Sequence, residues 1–366
     1  MSNVALKSSV LACALGVSAI LTWPSVLPEA TALSPADPKA DARSAAIAKA
    51  QVWTPTDVAS MNIKAGPAEP DAIPFRATVY CDYLDKSLDG NSPKFACKDG
   101  EGEEVKVKFG GNNGEVYAEV ATTRLLWALG FGADRMYPVK VICRGCPKAF
   151  GGIARAEKDE SIFDPAVIER KATAAEFPAG EGWSWTELDK VDEAAGGAPR
   201  AHRDALKLLA VFLQHTDSKP QQQRLLCLDE TSKDNPACTR PLMMVNDVGL
   251  TFGRANAFNI NQSGSMNLNA WSDTPVWKDD TKCVGNLPKS VTGTLNNPVI
   301  GEEGRAFLAG LLSQLTDQQI TDLFEISRVS LRMRLPGSAF SGFGSVPEWV
   351  TAFKQKRDQI TNRRCA

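Results

Sequence analysis

Two stretches in the first half of the chain alternate apolar and polar side chains with a period of two residues. "RATVYCDY" covers residues 76–83, "EEVKVKFG" covers residues 103–110, and both contain many β-branched or aromatic residues. Such alternation is typical of half-buried strands. The turn-rich stretch between them indicates that the two strands pair antiparallel.

The hydrophobic pattern changes to a helical period after residue 114. "EVYAEVATTRLLWALGFG" predicts a helix with an apolar face formed by Val116, Val120, Thr123 and Trp127. Gly130 suits the position just after the helix end. "MYPVKVIC", residues 136–143, then predicts another strand.

The second half of the chain is mostly helical in pattern. "RAHRDALKLLAVFLQH" is the clearest helix, and "PLMMVN" is strand-like. Helices are also predicted within residues 304–327 and 346–360. The order of strands followed by helices predicts an α+β fold.

The N-terminal residues predict export. Lys7 precedes an apolar stretch at residues 10–23, and small residues follow at 30–32, so residues 1–32 read as a cleaved secretory signal. An uncleaved anchor is the competing interpretation, although the apolar stretch is short for a membrane span. Residues 33–73 are rich in Ala, Pro and Asp and predict a linker or loosely docked arm. We expect a secreted or periplasmic protein without a stable membrane span.

The cysteines and the net charge narrow the class of protein. Of nine cysteines, Cys13 lies in the predicted signal, and the even remainder in an exported chain predicts disulfides. We expect Cys81 to pair with Cys97 and Cys227 with Cys238, because each pair brackets a polar loop. The other four, Cys143, Cys146, Cys283 and Cys365, would pair among themselves. A net charge of −2 gives no general reason to expect nucleic acid as a partner.

Three segments carry residues suited to phosphoryl transfer, which needs a cation on the phosphates, a carboxylate facing the acceptor hydroxyl, and oxygens for Mg²⁺. "HTDSKPQQ", residues 215–222, matches the H-x-D-x-K-P pattern of kinase catalytic loops, with Gln222 where Asn would bind metal. The alternative interpretation is a polar turn capping the helix, in which Asp217 and Ser218 bond to local backbone.

The other two segments supply the cation and a metal ligand. "VNDVGLTFG" places Asp247 in a D-x-G segment after an apolar strand, as in the D-F-G segment of kinases. "VKVKFG" offers Lys106 or Lys108 as the phosphate-binding lysine, and period two puts both on one face. We favour Lys108, which lies nearer the following helix, with Glu119 as its ion-pair partner and Glu115 as the alternative.

In order and setting, these segments resemble the atypical protein kinases of the secretory pathway over roughly residues 74–253. The resemblance implies a two-lobed protein-kinase-like fold, with a small β-rich N-lobe at 74–150 and a larger, mainly helical C-lobe at 151–366. It implies ATP and Mg²⁺ or Mn²⁺, with a protein or glycan hydroxyl as acceptor. The implied roles are phosphate binding by Lys108, fixed by Glu119; base and phosphoryl stabiliser for Asp217 and Lys219; and metal binding by Asp247 and Gln222.

The chain also departs from the kinase pattern. Thr216 replaces the usual Arg, no G-x-G-x-x-G precedes the lysine strand, and no A-P-E segment follows. Gln222 is one methylene longer than Asn, so Gln221 or Gln223 are alternative metal ligands. An inactive kinase-like binding or activator module, or AMP transfer on the same fold, therefore stand as alternative functions.

The remaining histidine and the tryptophans predict structure rather than chemistry. His202 is expected to be exposed near a helix start. With only two histidines and no G-x-S-x-G segment, Ser-His-Asp hydrolysis is not supported. Anchoring the core is the more common use of tryptophan, although a glycan-binding surface is the alternative for Trp183 and Trp185.

Overall fold

The computed structural model describes residues 38–147, 149–150, 153–154, 160–176, 182–229, 238–256, 264–334 and 343–365. The predicted signal at residues 1–32 lies outside these ranges. None of the described helices combines the length and the apolar character needed to cross a membrane. Helices and strands are mixed along the chain, as the α+β prediction requires.

A closed barrel of five strands, in the order β1-β2-β3-β7-β4, occupies the first part of the fold. The strands up to this point are β1 (Thr78–Leu84), β2 (Lys94–Asp99), β3 (Glu104–Phe109), β4 (Arg135–Arg144), the short pair β5 (Ala149–Phe150) and β6 (Ile153–Ala154), and β7 (Glu160–Arg170). Neighbours in the barrel pair antiparallel, except for β1 and β4, which are parallel. The barrel encloses its own apolar core, which includes Phe95, Val107, Phe109, Tyr137, Phe163 and Ile168.

One predicted strand pairing needs correction, and one strand of the barrel lies beyond the predicted N-lobe. The sequence predicts that β1 and β3 pair with each other, and this is wrong, because β2 lies between them and pairs with both. The predicted boundary at residue 150 also falls before β7, which completes the barrel, so the β-rich region extends to Arg170. Pro165 lies in the middle of β7, and proline lacks the backbone N–H that a strand pattern needs. That explains why the sequence did not predict this strand.

Residues 38–63 contribute buried residues to the core, unlike the linker or loosely docked arm that the sequence predicts for this stretch. Helix α1 (Pro38–Lys49) buries Ala46 and Ile47, and Val52 and Ile63 are also buried. Gln51 exchanges backbone hydrogen bonds with Pro241 and Met243, each 2.8 Å long. The stretch looks like a linker in sequence because small alanines form most of its buried face, which weakens the hydrophobic pattern.

Within the residues that the structure describes, six further α-helices follow the barrel strands or lie between them. They are α2 (Glu115–Ala128), α3 (Arg200–Leu213), α4 (Leu268–Ser272), α5 (Glu302–Ser313), α6 (Asp317–Ile326) and α7 (Val346–Thr361). Their shared core contains a group of contacting aromatic rings, Phe212, Phe252, Trp271, Phe324, Trp349 and Phe353. Helix α2 contributes to this core and packs on β4, so it joins the barrel to the helices. Trp183 and Trp185 are likewise fully buried in the core.

A second, small sheet holds the loop that carries Asp217 close to the segment that carries Asp247. It consists of β8 (Ala175–Glu176), β9 (Gln223–Cys227) and β10 (Pro241–Val245), and a further pair is formed by β11 (Trp277–Asp279) and β12 (Val284–Gly285). In the β9–β10 hairpin, Gln223 is the register partner of Val245. The residues just before β9 therefore lie beside those just after β10.

Four disulfides join the described cysteines. The two predicted local pairs, Cys81–Cys97 and Cys227–Cys238, are confirmed. The remaining cysteines pair among themselves as predicted, in the bonds Cys143–Cys146 and Cys283–Cys365. The last bond links the turn before β12 to the chain that follows α7 across a separation of 82 residues.

Candidate active site

Lys108 lies at the centre of a buried group of charges. Strand alternation turns Val107 and Phe109 into the barrel and Lys108 outward, where it is only 1% exposed. Its Nζ contacts Glu119 and lies 3.0 Å from Glu115 Oε2 and 3.1 Å from Asp247 Oδ1. Three carboxylates from two segments of the chain therefore surround one ammonium.

The turn between β3 and α2 places the two glutamates of this group. Asn113 donates from Nδ2 to Phe109 O at 3.2 Å and accepts from the Glu115 backbone N–H at 3.1 Å, which fixes the helix start. Glu115 and Glu119 are four residues apart, so they share one face of α2. That face is the one that meets Lys108.

Charge and burial act against each other in this group. Burial lowers the pKa of Lys108, but Asp247, Glu115 and Glu119 outweigh it and hold that pKa well above its ordinary value. Burial raises the pKa of Glu119 well above its ordinary value. Lys108 acts to lower it, but the nearby charges of Asp247 and Glu115 add to the effect of burial. Burial also acts to raise the pKa of Asp247, yet Lys108 and Lys106 keep it lowered.

The Asp247 segment is held tightly by α2. Asp247 has φ +40°, a left-handed conformation that Asp adopts more readily than most residues. A Cβ on Gly249 would lie 2.5 Å from Glu115 Cγ, so only glycine fits at this position. Thr251 shares a 2.7 Å hydrogen bond with the Thr122 hydroxyl of α2. The D-x-G pattern thus reflects close packing against the helix that carries the glutamates.

Asp217 lies on an irregular loop directly after α3. The helix ends at Gln214, which has φ +56°, and the Thr216 backbone N–H then donates to Leu250 O at 3.1 Å. Asp217 Oδ2 accepts from Gln222 Nε2 at 3.1 Å and lies 3.2 Å from Lys219 Nζ. Its contacts are with side chains, not with the local backbone that the polar-turn interpretation requires.

The loop of Asp217 and the segment of Asp247 are joined directly. The Asn246 backbone N–H donates to Gln222 O at 2.9 Å, where β9 and β10 meet. His215, two residues before Asp217, is buried, and burial lowers its pKa to about 4, although the charges of Asp217 and Asp247 act in the opposite direction. The imidazole is therefore neutral at physiological pH and serves as an uncharged packing residue against Trp185.

The remaining residues that the sequence analysis considered lie outside the group around Lys108 or make other contacts. Lys106 pairs with Glu169 on β7 and its side chain is 30% exposed. Gln222 contacts Asp217, and its metal-binding role stays a prediction. Gln221 is exposed, whereas Gln223 is buried beside Trp185. His202 contacts the rings of Trp53 and Phe307, so the prediction that it is exposed is wrong.

The carboxylate group fits a divalent cation by its chemistry. Single oxygens of Glu115, Glu119 and Asp247 lie within 4.8 Å of one another. Within the described part of the chain, Glu119 Oε2 is buried and has no hydrogen-bond partner. Carboxylate oxygens are the ligands that Mg²⁺ and Mn²⁺ prefer. A bound dication would add positive charge and so favour the ionised form of Glu119, whose pKa burial raises.

Two residues near the site have no sequence signal. Lys94 on β2 is the register partner of Lys108, and burial together with the Lys108 charge lowers its pKa. The sequence did not identify Lys94 because it did not predict β2. Thr292 donates to Asp217 Oδ1 at 3.1 Å from a loop 75 residues further along the chain, and only the tertiary structure brings the two together.

Comparisons with known proteins found similarity in structure alone. A scan against protein-family models found no match, and a search of curated proteins also found none. Among solved structures, the chain is similar to the proinflammatory kinase CtkA of Helicobacter pylori, with 10% identity and a TM-score of 0.40. That match covers 78% of this chain and 93% of the kinase.

Two further similar structures are of the Rio2 kinase from Chaetomium thermophilum. The first has 12% identity and a TM-score of 0.29, covering 69% of this chain and 74% of the other. The second, an ADP/Mg²⁺-phosphoaspartate complex, has 11% identity and a TM-score of 0.26, covering 69% and 72%. Because these TM-scores are below 0.5, the side chains of this protein itself must support any assignment of function.

Proposed function

We propose that this protein is an exported, ATP-dependent phosphotransferase with a two-lobed, protein-kinase-like architecture. One observation supports the proposal most strongly. Lys108 of β3 contacts both Glu119 of α2 and Asp247, and the segment of Asp247 is hydrogen-bonded to the loop that carries Asp217. A strand lysine, a helix glutamate and two loop aspartates thus meet in the combination that kinase chemistry uses.

In the proposed architecture, the barrel with α2 is the N-lobe and the remaining helices are the C-lobe. The barrel strands enclose one hydrophobic core, and α2 packs into the second core, which the other helices share. The charged group lies on the outer face of the barrel, where α2 and the Asp247 segment meet it. The four disulfides support an oxidising location outside the cytoplasm.

Nucleotide binding would use the existing charges around Lys108. The ammonium would exchange a carboxylate contact for oxygens of the ATP phosphates, while Glu119 keeps the lysine in position. Asp247, together with Gln222, would hold Mg²⁺ or Mn²⁺. Such an ion would offset the negative charge of the phosphates. The excess of carboxylates around Lys108 supports this requirement for added positive charge.

In phosphoryl transfer, Asp217 would act as the base for the acceptor hydroxyl. The acceptor oxygen attacks the γ-phosphorus of ATP, the bond to the β–γ bridging oxygen breaks, and ADP leaves. The hydroxyl proton passes to the Asp217 carboxylate, and Lys219 stabilises the transferring group. The Asp217 carboxylate is suited to this role because Lys219 and Gln222 hold one oxygen and leave the other facing a hydroxyl. A protein side chain or a sugar hydroxyl is the acceptor class.

An inactive kinase-like module that binds a partner or activates a true kinase is the second candidate. The contact of Gln222 favours it, because the side-chain amide donates to Asp217 instead of joining the carboxylate group. A site with one metal ligand fewer would bind nucleotide weakly or not at all.

Thermal unfolding of the oxidised chain tests nucleotide binding. A ligand that binds only the folded state at a hundred times its Kd adds about 2.7 kcal/mol of stability. We expect ATP with Mg²⁺ or Mn²⁺ to raise the Tm of the wild type, and Asp247→Asn to remove that rise. Asp273→Asn, an exposed carboxylate at the end of α4, is the matched control and should keep it. No rise in the wild type with either metal would contradict the nucleotide site.

A further inference from the structure

A hydroxyl of the chain itself occupies the acceptor side of Asp217. The two carboxylate oxygens have different partners, since Oδ2 contacts Lys219 and Gln222. Oδ1 accepts a hydrogen bond from Thr292 Oγ1 at 3.1 Å. That contact is the one a substrate hydroxyl makes with a catalytic base before transfer.

The loop that carries Thr292 is attached to the loop of Asp217 over several residues. Ser218 O accepts from both the backbone N–H and the hydroxyl of Thr294, at 3.2 and 3.1 Å. The Leu295 backbone N–H donates to Ser218 Oγ at 3.4 Å. Gly293 is packed so closely that a Cβ there would lie 2.6 Å from Ser218 Oγ. Backbone contacts on the C-terminal side of Thr292 therefore hold its hydroxyl at Asp217.

The side chain of Thr292 is nevertheless accessible. Thr292 is exposed, and its neighbour Val291 is 100% exposed. A group added to the hydroxyl would extend into solvent without displacing the core. The position thus combines a fixed hydroxyl with room for a product.

We propose that Thr292 is an intramolecular phosphorylation site of this protein, an inference that rests on the proposed phosphotransferase function. Thr292 Oγ1 attacks the γ-phosphorus of ATP, the Oγ1–P bond forms, and the bond to the β–γ bridging oxygen breaks. ADP leaves, and the proton of the Thr292 hydroxyl passes to Asp217. Only ATP is needed as co-reactant, so atoms and charge balance.

The product would open the site to other acceptors. A phosphothreonine carries a charge of about −1.5 to −2 at neutral pH and would face the Asp217 carboxylate. The repulsion moves residue 292 away from Oδ1, and the acceptor side of Asp217 becomes free. Unmodified Thr292 then prevents other acceptors from reaching Asp217, and its phosphorylation by the enzyme itself removes this inhibition.

The experiment follows phosphate incorporation and ADP formation in the same samples of oxidised chain with ATP and Mg²⁺ or Mn²⁺. Fragment mass spectrometry locates the phosphate in the wild type, Thr292→Val and Thr281→Val. Thr281 is the matched control, because it is also exposed and donates its hydroxyl to an aspartate, Asp279 Oδ1, at 2.6 Å. Dilution of the chain separates intramolecular from intermolecular transfer.

We expect phosphate at residue 292 in the wild type and in Thr281→Val, at a rate independent of chain concentration. Thr292→Val should lose this incorporation and still form ADP when a small hydroxyl acceptor is supplied. ADP formation without phosphate on Thr292 would overturn this inference and leave the proposed function standing. Absence of any ATP consumption, together with absence of the ATP-dependent rise in Tm, would overturn both.

Discussion

Lys108 places one ammonium among the buried carboxylates of Glu115 and Glu119 and the partly exposed carboxylate of Asp247, and this arrangement has opposite effects on stability and on ligand binding. The lysine reduces the repulsion between Glu115, Glu119 and Asp247, the first two of which are shielded from water. Under the proposed function, the same carboxylates would favour binding of a metal-bound nucleotide. At the residue scale, the loss in free energy of unfolding when Lys108 is removed therefore measures how strongly the carboxylates depend on this ammonium.

We expect Lys108→Met to lower the free energy of unfolding by about 3–5 kcal/mol, because it leaves buried carboxylates without their partner. Urea denaturation of the oxidised chain measures the loss. Lys106→Met is the matched control on the same strand; its side chain is 30% exposed, and we expect a smaller loss. An equal loss in free energy of unfolding for the two variants would show that the buried glutamates do not depend on Lys108 more than an exposed pair depends on its lysine.

Individual residues of the candidate site could be predicted from the sequence only where they belong to a recognisable motif. Asp217, Lys219 and Asp247 stand in short patterns with a fixed order, so their proximity could be expected. Nothing in the spacing distinguished Lys108 from Lys106, and burial with ion pairing now does. Thr292 belongs to no motif, because its contact with Asp217 depends on how a distant loop folds back.

At the scale of elements, the sequence predicts those helices and strands that have a strong single period. Helix α3 and strands β1, β3 and β4 fall in this group, whereas α2 and β10 are buried along almost their whole length and have no single apolar face. The missed elements have specific physical reasons: a proline inside β7, and a small alanine face on α1. Helix α7 adds a feature that periodicity hides, because Lys356 lies on its buried face.

Lys356 gives α7 a pH-dependent contribution to stability. Its Nζ donates to Trp271 O at 2.9 Å and Thr274 O at 2.6 Å, and burial lowers its pKa from 10.5 to about 7. Between these two values the unfolded chain binds the proton more strongly than the folded chain. The free energy of unfolding therefore rises with pH through this window.

We expect urea denaturation at pH 7 and at about pH 9 to show this rise in the wild type and not in Lys356→Met. Lys354→Met is the control on the same helix, since Lys354 is partly exposed and pairs with Asp317. It should keep the pH dependence of the wild type. An unchanged pH slope in Lys356→Met would mean that the buried lysine does not titrate as described.

At the scale of the whole molecule, the proposed chemistry depends on how three parts of the fold meet. The barrel carries Lys108, α2 carries the glutamates, and the β9–β10 hairpin brings Asp217 and Asp247 together at its end. The sequence predicts the order of these parts. It does not predict that the barrel closes, that β2 places Lys94 opposite Lys108, or that residues 38–63 pack against the body. Those features arise from contacts between segments far apart in the chain.

The measurement that tests the central claim most directly is product analysis of ATP turnover by the oxidised wild type and Asp217→Asn, with Mg²⁺ or Mn²⁺. We predict metal-dependent formation of ADP and a phosphorylated hydroxyl, reduced by about 10²–10⁴-fold in Asp217→Asn through loss of the base. The variant should keep the ATP-dependent rise in Tm. Nucleotide binding without ADP above the level of the variant would contradict the account and favour an inactive module, and AMP transferred to product would contradict phosphoryl transfer.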